Sequence, residues 1–199
     1  MGIVIDEDLS WSFHVNHVYK KLIRFVGLFY KARYKLPLPI LRTLYFTLIY
    51  PHLLYGIEIY GNASASCLDP LVKLNNKILR ILQGKNRYSH IRNLYTEYET
   101  LPISLLFQFQ ILKFVYKSHH TPEFLPAIYN NYFIPNSVIH QHNTRSKKDL
   151  HRFPVRSLIG AKQIKSKGAV LWNDLSFDLK NSFPFSEFKK KLKINLLQL

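Results

Sequence analysis

The sequence is short of several things, and each shortage excludes a class of function. There is one cysteine, Cys67, among 199 residues. One thiol excludes an internal disulfide framework and any cysteine-rich zinc site, and it points to a reducing compartment, cytosol or nucleus. There are only seven glycines, and none falls in the spacing of a phosphate-cradling loop. No serine sits in a nucleophile elbow. The N-terminus has no basic stretch followed by an apolar one, so secretion is not expected. Residues 43–57 form the strongest charge-free apolar run, 15 residues broken by Pro51 and containing His52. A bilayer span needs about 20. Acids are scarce as well: 12 Asp and Glu face 28 Lys and Arg, a formal charge of +16.

What is present suits a folded, basic, aromatic-rich protein. Hydrophobic residues make up 47 % of the chain, enough to bury a core, and 15 % are aromatic. Bases mixed with rings suit a nucleic-acid partner, because phosphates attract Lys and Arg while unstacked bases lie against rings. A plain basic protein with aromatic packing satisfies the same composition.

Hydrophobic periodicity predicts a mainly α fold. Val15, Val18, Leu22, Phe25, Val26 and Phe29 recur at helical spacing and predict a helix over residues 12–35. Lys20, Arg24, Lys31 and Lys35 then share a stripe about 60° wide. No acid occurs between Asp8 and Glu58, so the stripe is uncompensated. Residues 36–39 read as a linker. Residues 39–60 read as a buried helix kinked or broken at Pro51. Asp69-Pro70 predicts the start of a third helix, with Asp69 as cap, Pro70 in its first position and Gly84 just past its end. Leu71, Leu74, Ile78 and Leu82 form its apolar face; Lys73, Lys77 and Arg80 form a basic one. Helices are also expected over residues 91–98, 104–118 and from about 184 to the end.

Residues 2–5 read as a short strand that needs a partner. Residues 121–149 are rich in Pro and Asn and mark an internal boundary. Residues 145–167 carry eight bases against one acid, Asp149, and Phe153, Val155 and Leu158 suggest a strand or hairpin there. The expected organisation is an edge remnant over 1–11, a helical domain over 12–120 and a basic C-terminal region over 121–199.

Few residues look catalytic. Asp6-Glu7-Asp8 is the one acidic cluster, and acids at such a junction serve as turn formers or helix-dipole partners more often than as metal ligands. His119-His120 and His140-Gln141-His142 have no third ligand at helical spacing, so no metal site is assigned. Trp172, beside Val170 and Leu171, reads as core.

Taken in order, several segments resemble the C-terminal part of reverse transcriptases from non-LTR, LINE-type retrotransposons, close to the jockey-like group. They are Met1 to Asp6 with Leu9-Ser10-Trp11 and His14; the basic residues 20–33; residues 36–61 with their Leu-Tyr-x-x-Leu-Ile-x-Pro core; Leu74-Asn75-Asn76-Lys77-Ile78-Leu79-Arg80-Ile81; Asn143-Thr144-Arg145; residues 168–175; and Lys180, Phe185 and Phe188-Lys189. Tyr60, Asn75 and Ser176 stand where the family usually has Trp, Gln and Pro. The resemblance implies thumb and post-thumb helices that grip a template–primer duplex of RNA or DNA. It also implies missing palm and fingers upstream. Polymerisation is two-metal phosphoryl transfer and needs clustered aspartates. In this family a Tyr/Phe-x-Asp-Asp turn in the palm holds the Mg²⁺ ions, and this sequence has no Asp-Asp pair. The chain is therefore expected to bind nucleic acid and not to polymerise, with no cofactor of its own. The expected contacts are Lys20, Arg24, Lys31, Lys35, Lys73, Lys77, Arg80, Arg145, Lys147 and Lys148. Two other readings stay open: a non-functional retroelement remnant, and an amphipathic protein on a membrane surface.

Overall fold

The computed structural model describes residues 2–140 and 145–198. It is mainly helical and forms two compact units, residues 1–107 and 108–199, divided inside one helix.

In the first unit, the chain enters helix α1 (Ser12–Ala32) through a turn organised by Asp6. The Asp6 carboxylate accepts the backbone N–H groups of Ser10 and Trp11, each at 2.9 Å, and the Ser10 hydroxyl. Those bonds hold Leu9 and Trp11 at left-handed φ values of 51° and 66°. Such a conformation costs a non-glycine residue on the order of 1–3 kcal/mol. Residues 2–5 form no strand; a ladder needs a second strand, and the first unit has none among the described residues. Ile3 instead lies against Gly56, where a Cβ would stand 2.8 Å from the Ile3 Cδ1.

Val15, Val18, Leu22 and Phe29 bury one face of α1, with Phe25 and Val26 at its margin. That face packs on helix α5 (Ala65–Leu82). Between them the expected single helix is divided into α2 (Leu38–Leu44), a π-turn (Tyr45–Ile49), α3 (Tyr50–Leu54) and α4 (Ile57–Tyr60). Pro51 has no N–H to continue the ladder, and the turn before it widens so that the Tyr50 N–H reaches the Tyr45 carbonyl. Gly56, at φ 71°, starts α4.

Helix α5 starts earlier than Asp69-Pro70 suggests. Ser64 is the cap, its side chain accepting from the Cys67 N–H. Pro70 lies inside the helix at an exposed position, and it has no N–H to offer the carbonyl of Ser66, itself an exposed residue. Asp69 instead pairs with Lys73 at 2.6 Å. The C-terminal end follows expectation: Gly84 has φ 63°, its N–H bonds the Ile81 carbonyl, and the Lys85 N–H bonds the Arg80 carbonyl.

Helix α5 is buried on most of its circumference, including Asn75 and Asn76. These asparagines join a directed chain of hydrogen bonds. The Tyr45 hydroxyl donates to Asn75 Oδ1 at 3.2 Å, Asn75 Nδ2 donates to the Tyr95 hydroxyl at 3.1 Å, and that hydroxyl donates to Asn76 Oδ1 at 2.6 Å. Burial pushes the Tyr95 phenol up to about 12 and Tyr45 higher still. Tyr95 comes from α6 (Ile91–Glu97), so the chain pins α6 to α5. Helix α7 (Ile103–His120) begins in this unit.

The second unit holds the rest of α7, then α8 (Asn136–Ile139), α9 (Leu158–Lys162), α10 (Ile164–Asn173), α11 (Phe177–Lys180) and α12 (Phe185–Gln198). Its core is aromatic. Tyr116 stacks on Phe188 at 4.3 Å and donates its hydroxyl to the Ser182 carbonyl at 3.0 Å. Trp172 is buried as expected, 6.4 Å from Tyr116. Gly168 admits the Phe133 ring; a Cβ there would stand 2.7 Å from it. Phe188, Leu192 and Leu196 bury one stripe of α12. The expected hairpin around Phe153, Val155 and Leu158 does not form. Among the described residues there is one isolated bridge, Pro135 with Leu150, and Phe153 lies under the Lys165 ammonium, 3.7 Å from its ring centre. Val155 and Leu158 are exposed.

Candidate nucleic-acid interface

The exposed strip of α5 follows from how much of the helix is buried. With Leu71, Leu74, Ile78, Leu79, Ile81 and Leu82 in the core, the face left for solvent carries Lys73, Lys77 and, at its edge, Arg80. These positions are spaced i, i+4 and i+7, so the three cations line one side. The left-handed turn at Gly84 then brings Lys85 and Arg87 back beside them, and the end of α1 adds Tyr30 and Arg33. Together with Asn76, Ile81 and Ile91 they wall a cleft of about 700 Å³. No acid is among its walls.

The charges in this cleft are unequal. Lys73 pairs with Asp69, and Lys85 with Glu97 at 2.7 Å; both pairs are well exposed. Such pairs are worth about 0–1 kcal/mol, so a phosphate competes with them readily. Lys77 and Arg87 have no ion-pair partner among the described residues. Arg80 donates one terminal N–H to the Ser89 carbonyl at 3.4 Å, while its buried Nε has no partner among the described residues. The Arg33 guanidinium lies 4.4 Å from the Tyr34 ring centre and 5.6 Å from that of Tyr30. A concave wall of this kind favours a polyanion without reading its sequence.

Of the ten cations expected from the sequence, Lys73, Lys77 and Arg80 line the cleft. Lys20, Arg24 and Lys31 are exposed on α1 and do not line it. Lys35 lies beyond the end of α1, which stops at Ala32, so it leaves the expected helical stripe. Arg145, Lys147 and Lys148 are exposed in a turn of the second unit. Asn143 and Thr144 of the Asn-Thr-Arg motif, Met1, and Gln141 and His142 lie outside the described residues. Helical periodicity missed Lys85 and Arg87 because they lie past the end of α5, and it missed Arg33, inside the helix expected over residues 12–35, because Arg33 falls opposite the stripe of Lys20, Arg24, Lys31 and Lys35. The available signal was Gly84, which marks where the chain doubles back.

Other candidates have structural duties. Both carboxylate oxygens of Asp6 are committed to Ser10 and Trp11, and the Ser10 hydroxyl bond keeps its pKa below the usual carboxylate range. The acidic cluster at residues 6–8 is therefore a poor fit for a pair of Mg²⁺ ions. Among the described residues no three His, Cys, Asp or Glu side chains converge as a metal site. Burial and the nearby Asp6 carboxylate push the Cys67 thiol up, away from a reactive thiolate. A second hollow, about 490 Å³ and lined by Asn136, His140, Asp149, His151 and Asn173 among others, is largely a set of satisfied loop bonds. No described helix is long and apolar enough to cross a membrane.

The chain is similar to the RNA-directed DNA polymerase of the mobile element jockey. The Drosophila melanogaster polymerase is 28 % identical over 97 residues, 47 % of this chain. The Drosophila funebris polymerase matches to the same extent. The match spans only 11 % of the length of either polymerase. The similarity supports a reverse-transcriptase-like relationship. No protein-family model and no solved structure matches the chain.

Proposed function

We propose that this chain corresponds to the thumb and post-thumb part of a non-LTR retrotransposon reverse transcriptase. On this reading it holds template–primer nucleic acid by its phosphates and does not itself polymerise. The observation that carries the reading is the acid-free cationic cleft between α1 and α5, on a chain similar to the jockey polymerase. Exposed Lys20, Arg24 and Lys31 on α1 add further phosphate contacts.

The test is anisotropy of a labelled RNA–DNA duplex at increasing salt. Four or more neutralised phosphates predict a fall of about a hundredfold or more in affinity between 50 and 200 mM salt, with little dependence on base sequence. Base-specific, salt-insensitive binding overturns the reading. Absence of any binding favours a non-functional remnant. Flotation with anionic vesicles that survives competitor RNA favours a membrane surface.

A further inference from the structure

We infer that the cleft between α1 and α5 takes an unpaired strand rather than the side of a duplex. The inference rests on the nucleic-acid reading above and concerns what the same site discriminates.

Two observations carry it. The first is shape. The cleft is concave and encloses about 700 Å³, the size range of pockets that surround a small ligand. One or two nucleotides fit such a space, whereas a duplex touches a protein along an extended surface. The second is the placement of rings among the cations. Tyr30 lines the cleft and is 45 % exposed, and Tyr88, next in the chain to the lining Arg87, is 85 % exposed. The planar Arg33 guanidinium also lies in the wall, against Tyr34. Exposed rings gain nothing from a duplex, whose bases already stack on one another and present only phosphates and groove edges. They gain a base face from an unpaired strand, and every base has one. Cations that hold the backbone and rings that hold the bases are together the chemistry of a single-strand groove.

The experiment uses the full chain and three labelled probes: a blunt RNA–DNA duplex, the same duplex with a six-nucleotide single-stranded extension, and a single strand of the same sequence. RNA and DNA extensions are run in parallel to tell which the cleft accepts. The expected result is that the extension tightens binding about tenfold. Tyr30→Ala and Tyr88→Ala should each remove about fivefold or more of that gain, the lower end of one base–ring stack. Both should cost the extended probe more affinity than the blunt duplex, and both should leave the salt slope unchanged, since neither removes a charge. Tyr30→Phe keeps the ring and should keep the gain. Equal affinity for blunt and extended probes overturns the single-strand inference while leaving the nucleic-acid reading standing. Loss of affinity for all three probes in Tyr30→Ala overturns it too, because it marks a structural ring. Failure of the unaltered chain to bind any probe removes the nucleic-acid reading itself.

Discussion

The side-chain amide of Asn173 brackets the backbone of Leu150. Its Oδ1 accepts the Leu150 N–H and its Nδ2 donates to the Leu150 carbonyl, both at 2.9 Å. An asparagine at the end of α10 thus does for one residue what a neighbouring strand would do. It also accounts for the Trp172-Asn173 pair in the sequence: Trp172 fixes the helix in the core, and Asn173 fastens the loop that carries buried Leu150. Asn173→Ala leaves both backbone groups without their partner. The expected cost is about 2 kcal/mol, two ordinary hydrogen bonds with partial access to water. Asn173→Asp keeps one acceptor but turns a carboxylate oxygen on the Leu150 carbonyl, acceptor against acceptor, so it should cost at least as much as the alanine change. Urea unfolding of the two variants beside the parent checks the order.

The same unit depends on a missing side chain. A Cβ at Gly168 would stand 2.7 Å from Phe133 and 3.0 Å from the Val115 Cγ2. Phe133 and Val115 are both buried, so neither can step aside freely. Gly168→Ala should destabilise by about 1–3 kcal/mol, although alanine is the better helix former. Gly27, also inside a helix but with open space around it, is the control: Gly27→Ala should be neutral or stabilising. A thermal melt in which both changes stabilise would show that the contact at Gly168 relaxes without cost.

The sequence revealed what depends on local pattern and hid what depends on partners. The faces of α1 and α5 were legible from spacing, the break at Pro51 from its missing donor, and the turn at Gly84 from its freedom to take positive φ. Residues 2–5 read as a strand by composition, yet a strand exists only with a ladder partner, and Ile3 lies against Gly56 instead. The start of α5 was misplaced because Asp69-Pro70 is a good local start signal that the earlier Ser64 cap overrides. Asn75 and Asn76 belong to neither the apolar nor the basic face that spacing assigns to α5. Their burial depends on Tyr45 and Tyr95, about 30 and 20 positions away, which no local pattern reveals. For the site, spacing identified the three cations within α5 and could not place those on the loops.

That buried chain of bonds makes a sharp stability prediction. Tyr95→Phe removes one hydroxyl, and with it the acceptor of Asn75 Nδ2 and the donor to Asn76 Oδ1. Unpaired buried groups cost about 1–3 kcal/mol each, so the loss should exceed the usual price of one hydrogen bond. Tyr132→Phe, at a half-buried tyrosine of the other unit, is the comparison and should fall within about 0.5 kcal/mol of the parent. Equal effects from the two changes in denaturant unfolding would mean that water enters the chain of bonds.

Stability should also depend on mild acid. His14 is buried, its Nδ1 accepts the Val4 N–H at 3.3 Å, and its Nε2 has no partner among the described residues. Burial holds its pKa below the ordinary histidine value of 6.5, with the charges of His17 and Lys21 adding to the effect. The folded state therefore keeps His14 neutral at a pH where the unfolded chain has protonated it. Stability from this group is full above pH 6.5 and declines as pH falls below it, until the folded form protonates too. His52 and His120 are shifted the same way, also chiefly by burial, and should deepen the decline. Urea midpoints at pH 7.5 and 5.0 should differ in the parent and differ less in His14→Phe. An unchanged difference would assign the acid sensitivity elsewhere.

The cations of the cleft can be ranked by what already holds them. Lys77 and Arg87 have no acidic partner among the described residues, whereas Lys73 is paired with Asp69. A phosphate arriving at Lys77 displaces only water and counterions, so Lys77→Ala should weaken binding across all sequences and lower the salt slope by about 1. Lys73→Ala should do less, because a phosphate reaching Lys73 must first displace Asp69. Asp69→Asn is the discriminating partner change: it releases Lys73 and removes a negative charge beside the cleft, so it should tighten binding. Salt titrations of the three variants on one single-stranded probe measure this directly. An Asp69→Asn variant that binds more weakly than the parent would mean that the Asp69–Lys73 pair positions the cleft, and does not merely compete with the phosphate for it.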